Sequence, residues 1–250
     1  MDLIYGMNSV KELLRQDGGV CEKIIIASGR KEHAIKEIVH LASVKNIPVE
    51  FYPKKQLDKL SDNNDHQGIV CFCKKFAYAE LDDILKNRTV RDGFGLVLVL
   101  DSVMDPHNLG SIIRTAYCLG ADGVVIPGDR AAKVTATVSK TSAGSVWQIP
   151  VAKVINLSQT VDYFKEQGFW IVGAEARAGE NIREMDFKCD IALVLGGEAK
   201  GIRPLIKKKC DFFVNIPMIG NFNSLNVSVA AGIILYEIVS QRRTAKNGTI

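Results

Sequence analysis

FVNIPMIGNFNSLNVSVAAGIILYEIVSQRR, residues 213–243, is the stretch on which the reading of the fold turns. It opens inside a β run, Phe212 to Ile216, which Pro217 and Gly220 break. Asn221 to Asn226 form a polar loop, and an apolar helix follows over roughly Leu225 to Gln241. The first turns of that helix carry Ser228, Ala230, Ala231 and Gly232, small residues that let another backbone or a ligand come close. Ser224 or Asn223 is placed to cap it. A strand that runs into a polar loop at a helix N-terminus is a recurrent ligand site in α/β proteins.

Upstream, the same grammar repeats from Phe94. Leu96 to Leu100 is wholly apolar, as a strand covered on both faces must be. A loop from Asp101 to His107 leads to a helix over Asn108 to Leu119. Strands are expected at Gly123–Pro127, Val151–Val154, Trp170–Ala174, Ile191–Leu195 and Phe212–Ile216, with helices at Leu157–Gln167 and Ile202–Lys209. This alternation implies a mostly parallel sheet. Residues 1–75 read as a smaller αβ unit, with helices over Asn8–Leu14, Glu32–Lys45 and Lys54–Leu60 and strands at Lys23–Ala27, Val49–Tyr52 and Gly68–Phe72. The charged stretch 76–92, with a short helical run at Leu81–Leu85, reads as a linker to a domain over 93–250.

Composition sets wide bounds. With 250 residues, 47% hydrophobic and 24% charged, the chain is an ordinary globular protein of one large or two smaller domains. The net charge of +4 is weak support for a polyanionic partner. Lys200, Arg203, Lys207, Lys208 and Lys209 cluster within ten residues, either as a solvated helix face or as a phosphate-facing patch. Of the six cysteines only Cys71 and Cys73 are close, a poor zinc signature, so reduced core cysteines are expected and no metal. The N-terminal stretch MDLIYGMNSV lacks the pattern of a signal peptide and no apolar run approaches a membrane span, so a cytoplasmic protein is expected.

Three strands run into unusual polar loops: Leu100–Thr115 with Asn108 and Arg114, Leu193–Pro204 with Gly196, Gly197 and Glu198, and the opening stretch with Asn215, Ser224 and Asn226. Taken singly, each has a plain structural reading: Asn108 as a cap, Arg114 in a surface ion pair, Glu198 solvated at a tight turn. In an open parallel sheet, however, the carboxyl ends of the strands share one edge, where three polar loops converge. No dinucleotide fingerprint, P-loop or Ser-His-Asp arrangement is present, which argues against an oxidoreductase, a nucleotide triphosphatase and a serine hydrolase. His107 stands alone beside Asn108.

The pieces DPHNLGSIIRTA, LGGEAKGI and NIPMIGNFNSLNVSVAAGIILYE resemble, in order and spacing, the three motifs of the SpoU (TrmH-type) RNA ribose 2′-O-methyltransferases. The N-terminal unit, with GMNSVKELL near its start and HQGIV at its end, is similar to the ribosomal-protein-like RNA-binding domain of 23S rRNA guanosine 2′-O-methyltransferases of the RlmB type. Ser145-Val146-Trp147 departs from the small and acidic residues usual there. The resemblance implies a SPOUT-type α/β domain with a deep trefoil knot, preceded by a small α/β RNA-binding domain. It implies S-adenosylmethionine as cofactor, RNA as substrate and a homodimer that buries the C-terminal helix. By motif position Gly196, Ile216 and Leu225 contact the cofactor, and Asn108, Arg114, Glu198, Ser224 and Asn226 are the functional set. The RNA implied is 23S rRNA, with tRNA, or a catalytically inactive RNA-binding relative, as the alternatives. Arg114 is the family's proposed base, but a guanidinium stays protonated, so holding the RNA phosphate and the developing alkoxide is the safer role. In the helix after Asn226, Ser228, Ala231 and Gly232 are expected to face the cofactor loops, and Ile234, Tyr236 and Ile238 to lie on its other sides.

Overall fold

Apolar strand runs, each closed by a glycine or polar turn, set the architecture of a computed structural model that describes residues 2–15, 20–29, 33–62, 65–89, 93–176, 179–198, 200–220 and 224–247. In chain order the elements are β1 (Asp2–Tyr5), α1 (Met7–Arg15), β2 (Cys21–Ala27), α2 (His33–Val44), β3 (Val49–Tyr52), α3 (Lys54–Leu60), β4 (Ile69–Cys73), α4 (Leu81–Thr89), β5 (Leu96–Asp101), α5 (Pro106–Cys118), β6 (Gly123–Pro127), α6 (Ala136–Thr141), β7 (Val151–Val154), α7 (Leu157–Glu166), β8 (Trp170–Ala174), β9 (Glu180–Asn181), β10 (Ile191–Gly196), α8 (Pro204–Lys207), β11 (Phe212–Asn215) and α9 (Val227–Asn247). They form two compact units, one of residues Met1–Ala77 and Val134–Gln148, the other of Tyr78–Lys133 and Ile149–Ile250.

The first unit holds a four-stranded sheet in the order β1-β4-β2-β3. β4 pairs antiparallel with β1 and with β2, while β2 pairs parallel with β3. The expected reading lacks β1, whose four residues become a strand only by pairing with Val70–Cys73, far along the chain. Cys21, Cys71 and Cys73 are free and buried here. A hydrogen bond with Cys21 and burial push the Cys71 thiol well above its ordinary value, and burial pushes Cys73 to about 12, so both are inert core thiols.

Val134–Gln148 joins this unit although it lies within the C-terminal part of the sequence. Ser9 Oγ donates to Ser139 O at 3.0 Å, Lys140 pairs with Asp65 at 2.8 Å, and Gln148 Nε2 donates to Glu12 O at 3.3 Å. Gly144 has φ +87°, a left-handed conformation that favours glycine. The unusual Ser145-Val146-Trp147 forms a buried 3₁₀ turn. Trp147 donates from Nε1 to Ser139 Oγ at 3.0 Å and meets the Phe76 ring edge-on at 5.0 Å. That packing gives the departure a structural reason.

The second unit is built on seven strands, β7-β6-β5-β10-β8-β11-β9, every neighbouring pair parallel. β5 and β10 are buried almost throughout, which explains their unbroken apolar runs. Val97, Val99, Ala192 and Val194 pack with Phe164 and Phe169 on one face. α4 lies where the sequence suggests a linker, and Ile84 belongs to this core; residues 90–92 of that stretch fall outside the described residues. Because the strands are parallel and β5, β10, β8 and β11 are neighbours, Asp101, Gly196, Ala174 and Asn215 all end at one edge. At the other edge Arg242, late in α9, donates to the carbonyls of Phe94 (2.9 Å), Gly95 (3.1 Å), Phe187 (3.0 Å) and Cys189 (2.7 Å). α9 thus ties both edges of the sheet together. Among the described residues no helix is long and apolar enough to cross a membrane.

Candidate active site at the carboxyl edge of the sheet

Gly196 and Gly197 end β10 where the chain folds back on itself. A methyl group on Gly196 would overlap the backbone of Gly201 and Ile202, and one on Gly197 would overlap the Ser102 carbonyl. These glycines therefore admit a close approach of the chain's own loops. Asp101, fully buried at the end of β5, fixes this arrangement. Its carboxylate accepts from Arg203 N at 2.8 Å and Arg203 Nε at 2.6 Å, and its carbonyl accepts from Gly197 N at 2.7 Å. The sequence reading assigns neither Asp101 nor Arg203 a role in the site. The only local signal is an acidic residue ending an apolar strand.

The first loop caps its helix differently from the expectation. Asp105, not Asn108, is the N-cap of α5: its side chain accepts from His107 N, and Pro106 takes the first helical position. The helix starts two residues before the expected Asn108, so Arg114 lies more than two turns along it. Asn108, freed from capping, is 7% exposed and faces the other loops. At α9 the cap is Asn226 rather than Ser224. Asn223, the other capping candidate, lies outside the described residues, as do Asn221 and Phe222 of the same loop.

Asn226 also sets the direction of a hydrogen-bond chain. Its Oδ1 accepts from Ser228 N at 2.8 Å and from Ser228 Oγ at 2.6 Å, which turns its amide nitrogen toward Asn108. Asn226 Nδ2 donates to Asn108 Oδ1 at 3.0 Å and to Glu198 Oε1 at 3.3 Å. Asn108 must then present its own amide nitrogen to Glu198, and Asn108 Nδ2 donates to Glu198 Oε1. One backbone N–H at a helix start thus orients two amides and leaves Glu198 as a pure acceptor, a charge-assisted arrangement.

Beside this chain opens a cavity of about 430 Å³. Glu198 and Asn226 belong to its wall together with Gly196, Ile216, Ser224 and Leu225, so seven of the eight expected residues, counting Asn108 through its bond to Glu198, meet at one place. Arg114 does not: its side chain is exposed and makes no hydrogen bond or ion pair with another described residue. Ser224 borders the cavity without a hydrogen bond to a described residue. On α9 the cavity is faced by Val227, Ala230 and Ile234. Gly232 instead approaches Thr115 of α5, and Ile234, expected on another side of the helix, lines the cavity, while Ile238 is buried in the core. The basic cluster is largely spent on ion pairs: Arg203 with Asp101, Lys207 with Glu175 and Lys209 with Asp162, while Lys200 and Lys208 are exposed.

Residues 95–236 match the model of the SpoU rRNA Methylase family, and residues 3–79 match that of the RNA 2′-O ribose methyltransferase substrate-binding domain. The chain belongs to the SpoU methyltransferase family. It is 43% identical, over 96% of both chains, to a Staphylococcus saprophyticus protein whose name places it in the TrmH family of tRNA/rRNA methyltransferases. Its fold is that of the SpoU methyltransferase AviRb from Streptomyces viridochromogenes, solved in complex with AdoMet, with a TM-score of 0.79, 27% identity and coverage of 97% of this chain and 90% of that one. A TrmH/SpoU tRNA modifying enzyme of A. aeolicus is similar at a TM-score of 0.57 and 33% identity over 66% of this chain and 85% of that one. Family membership makes this an RNA ribose 2′-O-methyltransferase with an N-terminal substrate-binding domain.

Proposed function

We propose that the chain transfers a methyl group from S-adenosylmethionine to the ribose 2′-hydroxyl of a guanosine of 23S rRNA, with residues 1–75 binding the RNA and 93–250 performing the transfer. The observation that carries this reading is that the oriented Glu198 carboxylate and the cavity share a wall. The cavity is of ordinary small-ligand size, within the range of roughly 300–1,000 Å³. Leu195, Val214, Ile216 and Ile234 offer apolar surface for a purine, and the main chain at Gly196, Ile216 and Leu225 offers polar groups for its edges. The cofactor supplies a sulfonium methyl, already a good electrophile. The chain's task is to align the hydroxyl and ease its proton away. Glu198, held by Asn108 and Asn226, accepts from the ribose hydroxyl; Arg114, free on α5, holds the adjacent phosphate by its forked donors. Ser224, at the cavity rim, fixes loop and substrate geometry.

Assembly belongs to the same proposal. Val229, Ile233 and Tyr236 recur on one stripe of α9 and are 50%, 38% and 66% exposed. A twofold dimer covers such a stripe economically. The close backbone passages at Gly179, Gly196 and Gly197 support a C-terminal segment drawn through a loop, the trefoil knot of the family.

The 23S target rests on the rRNA family match and the separate substrate-binding domain. The tRNA alternative rests on the likeness to the A. aeolicus enzyme. Ribose-methylation mapping of rRNA and tRNA from cells lacking the protein separates them: loss of one 2′-O-methylguanosine in 23S rRNA is expected, and loss only in tRNA overturns the rRNA assignment. Transfer of labelled methyl by the purified protein excludes the inactive relative.

A further inference from the structure

Past the cavity, the carboxyl edge of the sheet continues from β10 to β5, β6 and β7. Backbone hydrogen bonds staple the loops that leave these strands, one to the next. Gly197 N donates to Asp101 O at 2.7 Å, Ala132 N to Val103 O at 2.9 Å, and Gly128 N to Val154 O at 2.8 Å. The four loops therefore form one fixed ledge that starts at the Glu198 loop. Its bends are uncommon: Ser102 and Arg130 have φ of +67° and +56°, a left-handed conformation that few residues other than glycine adopt. What the ledge exposes is uncommon as well. Met104, between the buried Val103 and the helix cap Asp105, is 70% exposed. Arg130 and Lys133 are exposed, and neither makes an ion pair with a described residue. Ile155, between the end of β7 and the cap Asn156, is fully exposed. Of the carboxylates here, Asp105 is engaged in capping α5, and Asp129 is exposed beside Arg130.

Apolar, cationic and again apolar side chains thus follow one another from β5 to β7. A nucleotide whose ribose reaches Glu198 is one link of a longer strand, and that strand has to leave across a neighbouring loop. Cations that hold no partner meet a phosphate without first breaking an ion pair. Methionine and isoleucine are side chains that wedge against unstacked bases. A protein partner would have to supply carboxylates at both cations, whereas RNA brings one negative charge with every nucleotide. The ledge spans three strand spacings of about 4.8 Å, roughly 14 Å in all. That length takes about four nucleotides of one strand at ~3.4 Å per stacked base. We infer that the RNA strand leaves the target ribose on one side along this ledge, from β10 to β7, with Arg130 and Lys133 on its phosphates and Met104 and Ile155 against its bases. The inference deepens the proposed function and rests on its placement of the methyl acceptor at Glu198.

Photocrosslinking on the full chain tests the path. A photoreactive benzoyl-phenylalanine is placed at position 104, at 155, or, as a control on the opposite edge, at the exposed position 170 at the start of β8. Each protein is irradiated with transcripts of 23S rRNA and of tRNA, and the crosslinked nucleotides are located relative to the methylated ribose. Positions 104 and 155 should mark nucleotides within about four of that ribose, all on the same side of it, with 155 farther out than 104, and position 170 should mark none of them. Crosslinks on both sides, the reverse order, or a protein–protein crosslink at twice the chain mass in place of RNA overturns the inference. The cations have a separate readout. Arg130→Gln combined with Lys133→Gln should raise KM for RNA by roughly tenfold to thirtyfold at 0.1 M salt and lower the salt slope by about 1.4, at ~0.7 per phosphate contact on a single strand. S-adenosylhomocysteine binding should not change, and Arg130→Lys with Lys133→Arg should restore the slope. An unchanged slope in the glutamine variant removes the cations from the path, because a merely structural role would not move it. Labelled methyl transfer by the wild type separates the two levels. If neither transcript accepts methyl, the proposed function falls and the path with it. If one accepts methyl while the crosslinks or the slope fail, only the path falls.

Discussion

Asn226→Asp separates what Asn226 does for the fold from what it does for the site. The side-chain oxygen that accepts from Ser228 N and Oγ survives the change, and aspartate caps a helix about as well as asparagine. A negative charge at the first turn of α9 adds a favourable dipole interaction of about 0.3–1 kcal/mol. The amide nitrogen, however, becomes a second carboxylate oxygen in the place of a donor 3.3 Å from Glu198 Oε1. Two unit charges at that separation repel by roughly 1 kcal/mol in bulk water and about 5 kcal/mol at an effective dielectric constant of 20. Glu198 is exposed, so the lower half of that range applies, about 1–3 kcal/mol, or a loss of roughly five- to 150-fold if it falls on the transition state. The variant should therefore stay folded and lose methyl transfer at neutral pH. The sign with pH follows. Each carboxylate raises the other's pKa, and the protonated member regains the lost donor. The variant's deficit should shrink as pH falls through that raised pKa and grow as pH rises above it. The assay is kcat/KM against pH for variant and wild type, with melting curves beside it. Wild-type turnover at neutral pH, or a deficit that does not change with pH, refutes the hydrogen-bond chain as the element that sets Glu198.

Arg114→Ala should abolish transfer while leaving cofactor affinity within a few-fold, and Arg114→Lys should also fail, because a point charge does not reproduce a forked donor; near-normal turnover of the lysine variant would show that positive charge alone suffices. Tyr236→Glu, in the middle of the exposed stripe of α9, should give a folded monomer without activity, whereas the wild type should scatter light as a dimer, at about twice the 27.4 kDa chain mass; a wild-type mass near that of one chain ends the dimer reading. A chain shortened to residues 93–250 keeps the cavity residues but removes the cover from Val134–Gln148. It should bind S-adenosylhomocysteine while Trp147 emission shifts to the red, and a folded fragment that binds no cofactor would misplace the site.

Signals that are local in the chain are legible in the residues themselves. The unbroken apolar run Leu96–Leu100 announces a doubly covered strand, and the βα alternation announces a parallel sheet. Together they predict that three distant loops share an edge, where Asn108, Glu198 and Asn226 do meet. The misplaced helix caps are a matter of weighting rather than of missing information. Asp105-Pro106 carries both a preferred cap and a proline suited to the first helical position, and Asn226 directly precedes the first helical residue of α9. What no local pattern carries is pairing across the chain. β1 exists through β4, Trp147 is buried against residues of the first 77, and Asp101 meets Arg203 across 102 positions.

The same distinction explains why the basic cluster misleads. Five cations in ten residues look like a phosphate site because sequence displays charges without their partners. Asp101, Asp162 and Glu175 come from three other parts of the fold, and each removes one cation from that count. Of these pairs Lys207–Glu175, at 2.7 Å, lies beside the cavity, whose lining includes Glu175. Lys207 is thereby engaged within the chain rather than left open to a phosphate. Lys200 and Lys208 stay exposed in that cluster, and Arg114 stays exposed on α5, apart from the hydrogen-bond chain. A residue meant to meet a substrate phosphate should look like that before the substrate arrives, since an ion pair within the chain would have to be broken to make the contact.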